Sequence, residues 1–258
     1  MSLLRIEHDG PLTVFSIDSP PLNLFDQALM DELSQAVDAL VGKPPRGLLF
    51  RAEGRVVSGG VDVHVFDGLS VERAAEMWVR LLGIVHRLEE LPLPSVFAAH
   101  ALCLTAAFEL SLGCDILLAA ESARFGLVET VVGLTPAMGG TQWLAERAGP
   151  ARARELVMTG ELYDAATLER WNVVNRVLPD EGFAEAAHEF ALKLASGPTR
   201  AHAATKGIVR AALDRGGARG ADAVVPKLAG ELFATEDLKR AVRSFLEQGP
   251  GHATYEGR

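Results

Sequence analysis

Two glutamates stand inside the most apolar stretch of the chain, and they limit what it can fold into more than any other feature. Residues 93–140 run LPSVFAAHALCLTAAFELSLGCDILLAAESARFGLVETVVGLTPAMGG, with Glu109 and Glu129 embedded in it. A carboxylate buried in such surroundings is costly unless it is paired, hydrogen-bonded or protonated. Glutamate is also among the residue types least often fully buried. Two arrangements follow. Either the helix rotation carries Glu109 out to solvent, or Glu109 and Glu129 face a shared cleft.

The order of elements around this stretch sets the fold class. Apolar runs Leu3–His8 and Leu12–Ile17 flank Asp9-Gly10-Pro11 and read as a hairpin. A helix over 26–41 carries Leu29, Leu33, Val37 and Leu40 on one face, with Gly42 at its end. The strand Gly47–Phe50 leads into a loop over 51–67, rich in glycine and charge, centred on Ser58-Gly59-Gly60-Val61-Asp62. A loop that long inside a compact domain is more often functional than not. Ser70 caps a helix that runs to Glu90 and stops at Pro92. Strands Ser95–Ala99 and Cys114–Ala120 flank a short helix, Thr105–Leu112, and Arg124–Gly126 is extended. Pro136 opens a helix reaching Ala148; Ala151–Met158 and Asp164–Trp171 are helical and Val173–Val177 is a strand. From Glu181 onward the pattern is helix only, over 181–196, 199–213, 221–233 and 235–247. This predicts an α/β core over residues 1–196 and a C-terminal helical region over 197–258, divided near Gly197-Pro198.

Composition excludes several function classes. The 258 residues suffice for a sizeable core. The net charge is −9 and there is no dense Lys/Arg run, which argues against a nucleic-acid partner. No apolar run is long enough to span a membrane, and the start does not read as a secretory leader, so a cytoplasmic location is expected. Cys103 and Cys114 lie in apolar surroundings without a CxxC or Cys/His partner, as buried thiols of a reducing compartment do. No His/Cys/Asp cluster has metal-ligand spacing, so no metal is expected.

The chemistry concentrates at Ser95–Leu112. The first N–H groups of a helix have no partner within it and favour negative charge beyond the terminus. Thr105, Ala106 and Ala107 are in position to supply such donors. Glu109, three residues after Ala106, shares its helical face, within about 5 Å along the axis. A second donor from Gly59-Gly60-Val61, where glycine lets backbone approach a ligand, would complete an oxyanion hole. The plain alternative has Glu109 as a solvated helix residue and the loop as a turn.

The ordered set Pro21-Leu22-Asn23, Ser58-Gly59-Gly60-Val61-Asp62, Pro94–Asp115 with Glu109, Phe125-Gly126-Leu127-Val128-Glu129 and Gly139-Gly140-Thr141-Gln142 resembles the enoyl-CoA hydratase/isomerase (crotonase) superfamily. Thr159-Gly160, Val174-Asn175-Arg176-Val177 and Phe233-Ala234-Thr235-Glu236-Asp237 extend the resemblance over nearly the whole chain. It implies a spiral of ββα units with a C-terminal helical trimerisation region, assembled as a homotrimer or homohexamer. It implies an acyl-CoA thioester substrate, with coenzyme A carried by the substrate and no separate cofactor. By motif, the oxyanion donors are the N–H groups of Val61 and Ala106. The two catalytic glutamates of the hydratases match Glu109, as the water's partner, and Glu129, as proton donor to carbon. Gly60, Asp62, His64 and Phe233 fall at substrate-binding positions, with Phe233 suited either to covering the adenine or to the core.

The chain departs from the family at several places. Thr105-Ala106-Ala107 replaces a glycine run, and His100-Ala101 replaces Asn-Gly. His64 stands for a lysine, and Gln248-Gly249-Pro250-Gly251 replaces a basic tail. His100 and Asp115 read as structural, Asp62 also as a loop organiser, and Trp78, Trp143 and Trp171 as core or interface. The resemblance implies an enoyl-CoA hydratase. The alternatives are an isomerase or decarboxylase of a specialised acyl-CoA pathway, or a catalytically silent acyl-CoA-binding paralogue.

Overall fold

A computed structural model describes residues 2–258. Strands β1 (Leu4–Asp9) and β2 (Leu12–Ile17) form the expected antiparallel hairpin, Leu4 opposite Ile17 and Asp9 opposite Leu12. Asp26 caps α1 (Gln27–Gly42), accepting the Leu29 N–H at 2.8 Å, and the Leu29, Leu33, Val37, Leu40 face is buried. After β3 (Gly47–Ala52) the long loop holds one 3-10 turn, Val63–Phe66. Ser70 caps α2 (Val71–Glu90), as its position predicts. Next come β4 (Ser95–Ala99), β5 (Leu102–Leu104), α3 (Ala106–Leu112), β6 (Ile116–Ala120) and β7 (Arg124–Gly126). A second 3-10 turn, Glu129–Val132, precedes α4 (Gly140–Ala148), α5 (Pro150–Thr159), β8 (Tyr163–Asp164), α6 (Ala165–Arg170) and β9 (Arg176–Leu178). Helices α7 (Phe183–Ala195), α8 (Thr199–Asp214), α9 (Ala218–Ala221), α10 (Val225–Glu231) and α11 (Glu236–Gln248) complete the chain.

The strands wind into two layers. The six-stranded sheet has the order β1-β2-β3-β4-β6-β9, all parallel after the first hairpin, and a smaller sheet has the order β5-β7-β8. Each turn of chain adds a strand to the large sheet and then a short strand to the small one: β4 then β5, β6 then β7. Isolated bridges Phe25–Val61 and Ser58–Cys103 continue the small layer into the earlier turns. This is the spiral expected from the resemblance. The large sheet is buried on both faces, which is why β3, β4 and β6 are nearly continuous apolar runs rather than alternating ones. Phe15, Phe50 and Phe97 stack across its centre. No helix among the described residues is long and apolar enough to cross a membrane.

The structure corrects several expected boundaries, each for a local reason. Pro136 does not open a helix; α4 begins at Gly140, because the Met138 and Gly140 N–H groups turn to the Glu109 carboxylate instead. The strand expected over 173–177 starts at Arg176, since the Val173 and Val174 N–H groups both bond the Leu168 carbonyl at the end of α6. Likewise β6 begins at Ile116, because the Cys114 N–H bonds the Ser111 carbonyl and the Asp115 N–H bonds the Ser95 hydroxyl. The helix expected over 221–233 is broken into α9, α10 and a 3-10 turn. Pro226, which lacks an N–H, sits in the first turn of α10, where that loss is harmless.

Asp115 joins the core to the C-terminal helices. Its Oδ2 accepts from the Ser95 N–H at 2.8 Å, the Ser95 hydroxyl at 2.7 Å and Lys206 Nζ of α8 at 2.9 Å. This is the structural role the sequence suggested. Replacing Asp115 by Ala leaves a lysine and a backbone donor unpaired, and hydrogen bonds to charged groups are worth about 1.5–3 kcal/mol. Asp115→Ala is therefore expected to destabilise by about 2 kcal/mol. That corresponds to a thermal midpoint lower by roughly 4–8 °C for a chain of this size. An unchanged midpoint would show that the tie contributes nothing.

Candidate active site

The two expected backbone donors lie on segments that the small layer joins. Ser58 bridges Cys103 in parallel, the Val57 and Ser58 N–H groups bond the Leu102 carbonyl, and the Leu104 N–H bonds the Ser58 carbonyl. Val61 and Ala106 each lie three residues beyond that bridge, on the two segments it joins. Phe25 binds the flanks of Val61, donating to the Gly60 carbonyl at 2.9 Å and accepting from the Asp62 N–H at 3.1 Å. In a parallel ladder the central residue's own N–H then points to the opposite side. Neither the Val61 nor the Ala106 N–H has an acceptor among the described residues. Ser58 is fully buried and fixes the approach, donating to the Asn23 carbonyl at 2.7 Å and accepting the Gly60 N–H at 2.9 Å. The sequence also offered Thr105 as a backbone donor. That is corrected: its N–H is taken by the Gly126 carbonyl at 3.0 Å.

Thr105 has an unusual backbone, φ 46° and ψ −119°, immediately before α3. Such values are strained for a β-branched residue, at a cost on the order of 1–3 kcal/mol. Its side chain lies against Gly60, where an added Cβ would meet the Thr105 hydroxyl at 2.9 Å. Gly60 itself has φ 110°, so glycine is required there twice over.

The two glutamates do face a shared cleft. Glu109 is 3% exposed, which rules out the solvated reading. Its Oε2 accepts the Met138 N–H at 2.8 Å and the Gly140 N–H at 2.7 Å. Gly140 must be a glycine for this approach, since an added Cβ would sit 2.8 Å from Glu109 Cγ. Glu129 opens the 3-10 turn after β7 and is half-buried, with its Oε2 free of protein partners. Burial and then the charge of Glu129 push the Glu109 carboxyl up to about 8, against the pull of the backbone N–H groups. Burial pushes Glu129 up to about 7. The two groups form one coupled system that retains a proton near neutral pH.

A cavity of about 190 Å³ collects these groups: Gly59, Gly60, Val61, Thr105, Glu109 and Glu129 all line it. Apart from Thr135 its remaining lining is apolar, with Phe66, Trp78, Val128, Val131 and Leu134 among it. Trp78, read from sequence as core or interface, packs against the core and on Phe66 at 5.7 Å, and also lines the cavity. No periodicity distinguishes a cavity wall from a core face, so Phe66, Trp78 and the valines were not legible. Ala106 is fully buried at the start of α3. Asp62 and His64 stand outside the cavity wall. The Asp62 carboxylate accepts the His64 N–H at 3.0 Å and contacts the His64 ring nitrogen at 2.6 Å, organising the loop as expected. That contact holds Asp62 below and His64 above their ordinary ranges. Phe233 is 72% exposed on a 3-10 turn away from this cavity, so its core reading is overturned. His100 bonds the Gly54 carbonyl at 3.0 Å, a structural role. Trp143 and the free thiols Cys103 and Cys114 are buried.

The raised Glu109 value makes stability depend on pH with a definite sign. A carboxyl whose folded value lies above its unfolded one binds more protons when folded, so stability falls as pH rises between the two. For Glu109 that window runs from about 4.5 to about 8. Glu109→Gln keeps an acceptor for both N–H groups and does not titrate. Its thermal midpoint should match wild type near pH 5 and exceed it by several degrees at pH 8.5, with the gain growing across the window. A difference that does not vary with pH would contradict the buried-carboxyl account.

Comparison with known proteins agrees with this geometry. Residues 7–257 match the family model for enoyl-CoA hydratase/isomerase. The chain is 31% identical over 255 residues to a Rhodobacter capsulatus protein named "Probable enoyl-CoA hydratase", covering 97% of both. A Bacillus subtilis protein of the same name is 29% identical over 251 residues, covering 96% of this chain and 97% of that one. Among solved structures, an enoyl-CoA hydratase from Bacillus anthracis superposes with a TM-score of 0.91 at 25% identity, over 99% of this chain and 100% of that one. Pseudomonas aeruginosa DspI superposes with a TM-score of 0.87 at 27% identity, over 96% and 95%. A match to the family model over nearly its whole length, a relative above 30% identity across almost the entire chain and the spiral fold together make this chain a member of the enoyl-CoA hydratase/isomerase family.

Proposed function

We propose that the protein hydrates a 2-enoyl-CoA thioester by syn addition of water. The observation that carries this reading is two carboxyls of raised pKa on one small cavity whose wall also includes Val61. The pair's retained proton rests mainly on Glu109, the more basic of the two, and the reactive arrangement is the one in which it has passed to Glu129. A water held between them then forms its O–C bond to the β-carbon as one of its protons passes to the ionised Glu109. The π pair of the double bond moves toward the thioester oxygen, where the Val61 and Ala106 N–H groups hold the charge. One such donor is typically worth about 3 kcal/mol in the transition state. Protonated Glu129 then gives its proton to the α-carbon, the thioester carbonyl reforms, and the net change is addition of one water. The proton left on Glu109 returns to Glu129, restoring the pair. No cofactor is needed beyond the coenzyme A of the substrate.

Double-bond isomerisation would use the same donors and needs no water. Two carboxyls on one cavity favour hydration, which must handle a proton at two atoms. The cavity is smaller than the roughly 300–1,000 Å³ usual for small-molecule sites, which supports a short acyl group with the nucleotide outside. The two buried free thiols support a cytoplasmic location. A panel of short, medium and branched 2-enoyl-CoAs tests the activity, with short chains expected to turn over fastest. Tight acyl-CoA binding with no turnover of any member would sink hydration and favour a silent paralogue.

The glutamates should act as a unit. Glu109→Gln and Glu129→Gln are each expected to lower kcat by at least about 10²-fold. Acyl-CoA affinity should change little, and the double variant should be scarcely worse than the poorer single. Steady-state kinetics with binding titrations separate these terms. Near-wild-type hydration by either single variant removes that residue from the mechanism.

We also propose that residues 197–258 mediate self-association, as a homotrimer or homohexamer. Phe233, Val242, Phe245 and Leu246 stand between 51% and 79% exposed in this region, more apolar surface than a monomer usually leaves in water. Sedimentation at micromolar concentration should give a trimer or hexamer; a stable monomer would contradict it.

A further inference from the structure

Thr105 is unexplained by anything within the chain. Its φ of 46° suits glycine, and a β-branched side chain there is strained. Its hydroxyl is buried and has no hydrogen-bond partner among the described residues. A buried hydroxyl left unpaired is unfavourable, and native proteins rarely keep one without a use. The residue is 7% exposed and lines the same cavity as Gly60, Val61, Glu109 and Glu129. The hydroxyl sits against Gly60, one residue before the Val61 donor, while the Thr105 main chain leads directly into the Ala106 donor. The side chain therefore stands between the two segments that carry those donors. Strain at a cavity wall together with an unspent donor is the pattern expected of a group that meets a ligand.

We propose that the Thr105 hydroxyl is a third donor to the thioester oxygen of the substrate, beside the N–H groups of Val61 and Ala106. The inference rests on the oxyanion reading of this cavity. A freely rotating hydroxyl turns its hydrogen toward whichever acceptor carries most charge, and charge on that oxygen is greatest as the enolate forms. The contribution therefore falls on kcat more than on KM. It also makes threonine more than a space-filler at this position: valine has nearly its shape and cannot donate.

Three variants test the proposal: Thr105→Val removes the hydroxyl at constant shape, Thr105→Ser keeps it, and Thr105→Gly removes it while relaxing the backbone. Two readouts are used beside a thermal midpoint. One is kcat and KM on the 2-enoyl-CoA that the wild type hydrates fastest. The other is the absorbance red-shift of an unreactive aryl-enoyl-CoA on binding, which reports polarisation of the thioester carbonyl without turnover. Thr105→Ser is expected within about threefold of wild type. Thr105→Val and Thr105→Gly should lose roughly 10- to 100-fold in kcat with little change in KM, and should shrink the red-shift. If Thr105→Val fails to fold, Thr105→Gly carries the test, since its backbone suits the site. Wild-type kcat and full red-shift in Thr105→Gly, or in a folded Thr105→Val, overturn the proposal while hydration stands. A hydroxyl-dependent red-shift with no wild-type turnover sinks hydration and upholds the third donor. Neither turnover nor red-shift in the wild type overturns both.

Discussion

Everything in the site follows from holding the Glu109 carboxyl inside the protein. A seven-residue helix buried on every side carries it, and no cation among the described residues pairs with it; what it has is two backbone N–H groups, from Met138 and Gly140. Those two donors hold one oxygen in place and leave the other for a reactant. The same demand shapes the neighbouring chain. It delays the start of α4, requires glycine at 140, and fixes the segment after Glu129 so that both carboxyls meet one cavity. Two backbone hydrogen bonds do not fully offset desolvation, so the carboxyl titrates far above its ordinary range. The destabilisation is inseparable from the chemistry, because a carboxyl that holds its proton near neutral pH is one able to exchange it there.

Much of this was legible in the residues. The hairpin carried its turn residues, α1 a period and α2 a cap, and Ser70 serves as the sequence suggested. Glu109 and Glu129 stood out because a charge in an apolar run has few explanations, and the structure keeps the shared cleft and discards the solvated helix. The strands β5 and β8 carried no such signal. They have three and two residues, too few for a period, and exist only because distant segments dock beside them. The same holds for Phe66 and Trp78, whose place on a cavity wall is a property of the assembled fold. Boundaries slipped where a backbone N–H found a partner outside its own element, as at Met138, Val173 and Cys114.

Thr105 lies between these cases. Its identity is visible in the sequence as a departure from a glycine run, but its backbone angles and unpaired hydroxyl are not. Alanine at 106 and 107 is absorbed without difficulty, since helical backbone suits it and the N–H is kept. Threonine at 105 meets a positive-φ backbone that suits glycine, and there the substitution leaves strain and an unpaired hydroxyl among the described residues. Two neighbouring replacements in one short run thus differ in kind, and only the dihedral angles separate them.

The spiral winding has a consequence for how such a protein changes over time. Val61 and Ala106 come from adjacent turns, whose main chains are tied by the bridge between Ser58 and Cys103. Side chains at either position can drift without moving the donors, as valine and alanine illustrate here. In the proposed mechanism the side chains that act on the thioester are Thr105 and Glu109, at the cap and in the body of α3, and Glu129, on the 3-10 turn after β7. On the proposed mechanism, charge stabilisation belongs to the backbone and reaction type to a few replaceable side chains. A lineage built on this scaffold can exchange one chemistry for another by point substitution while the oxygen-binding device passes unaltered from ancestor to descendant.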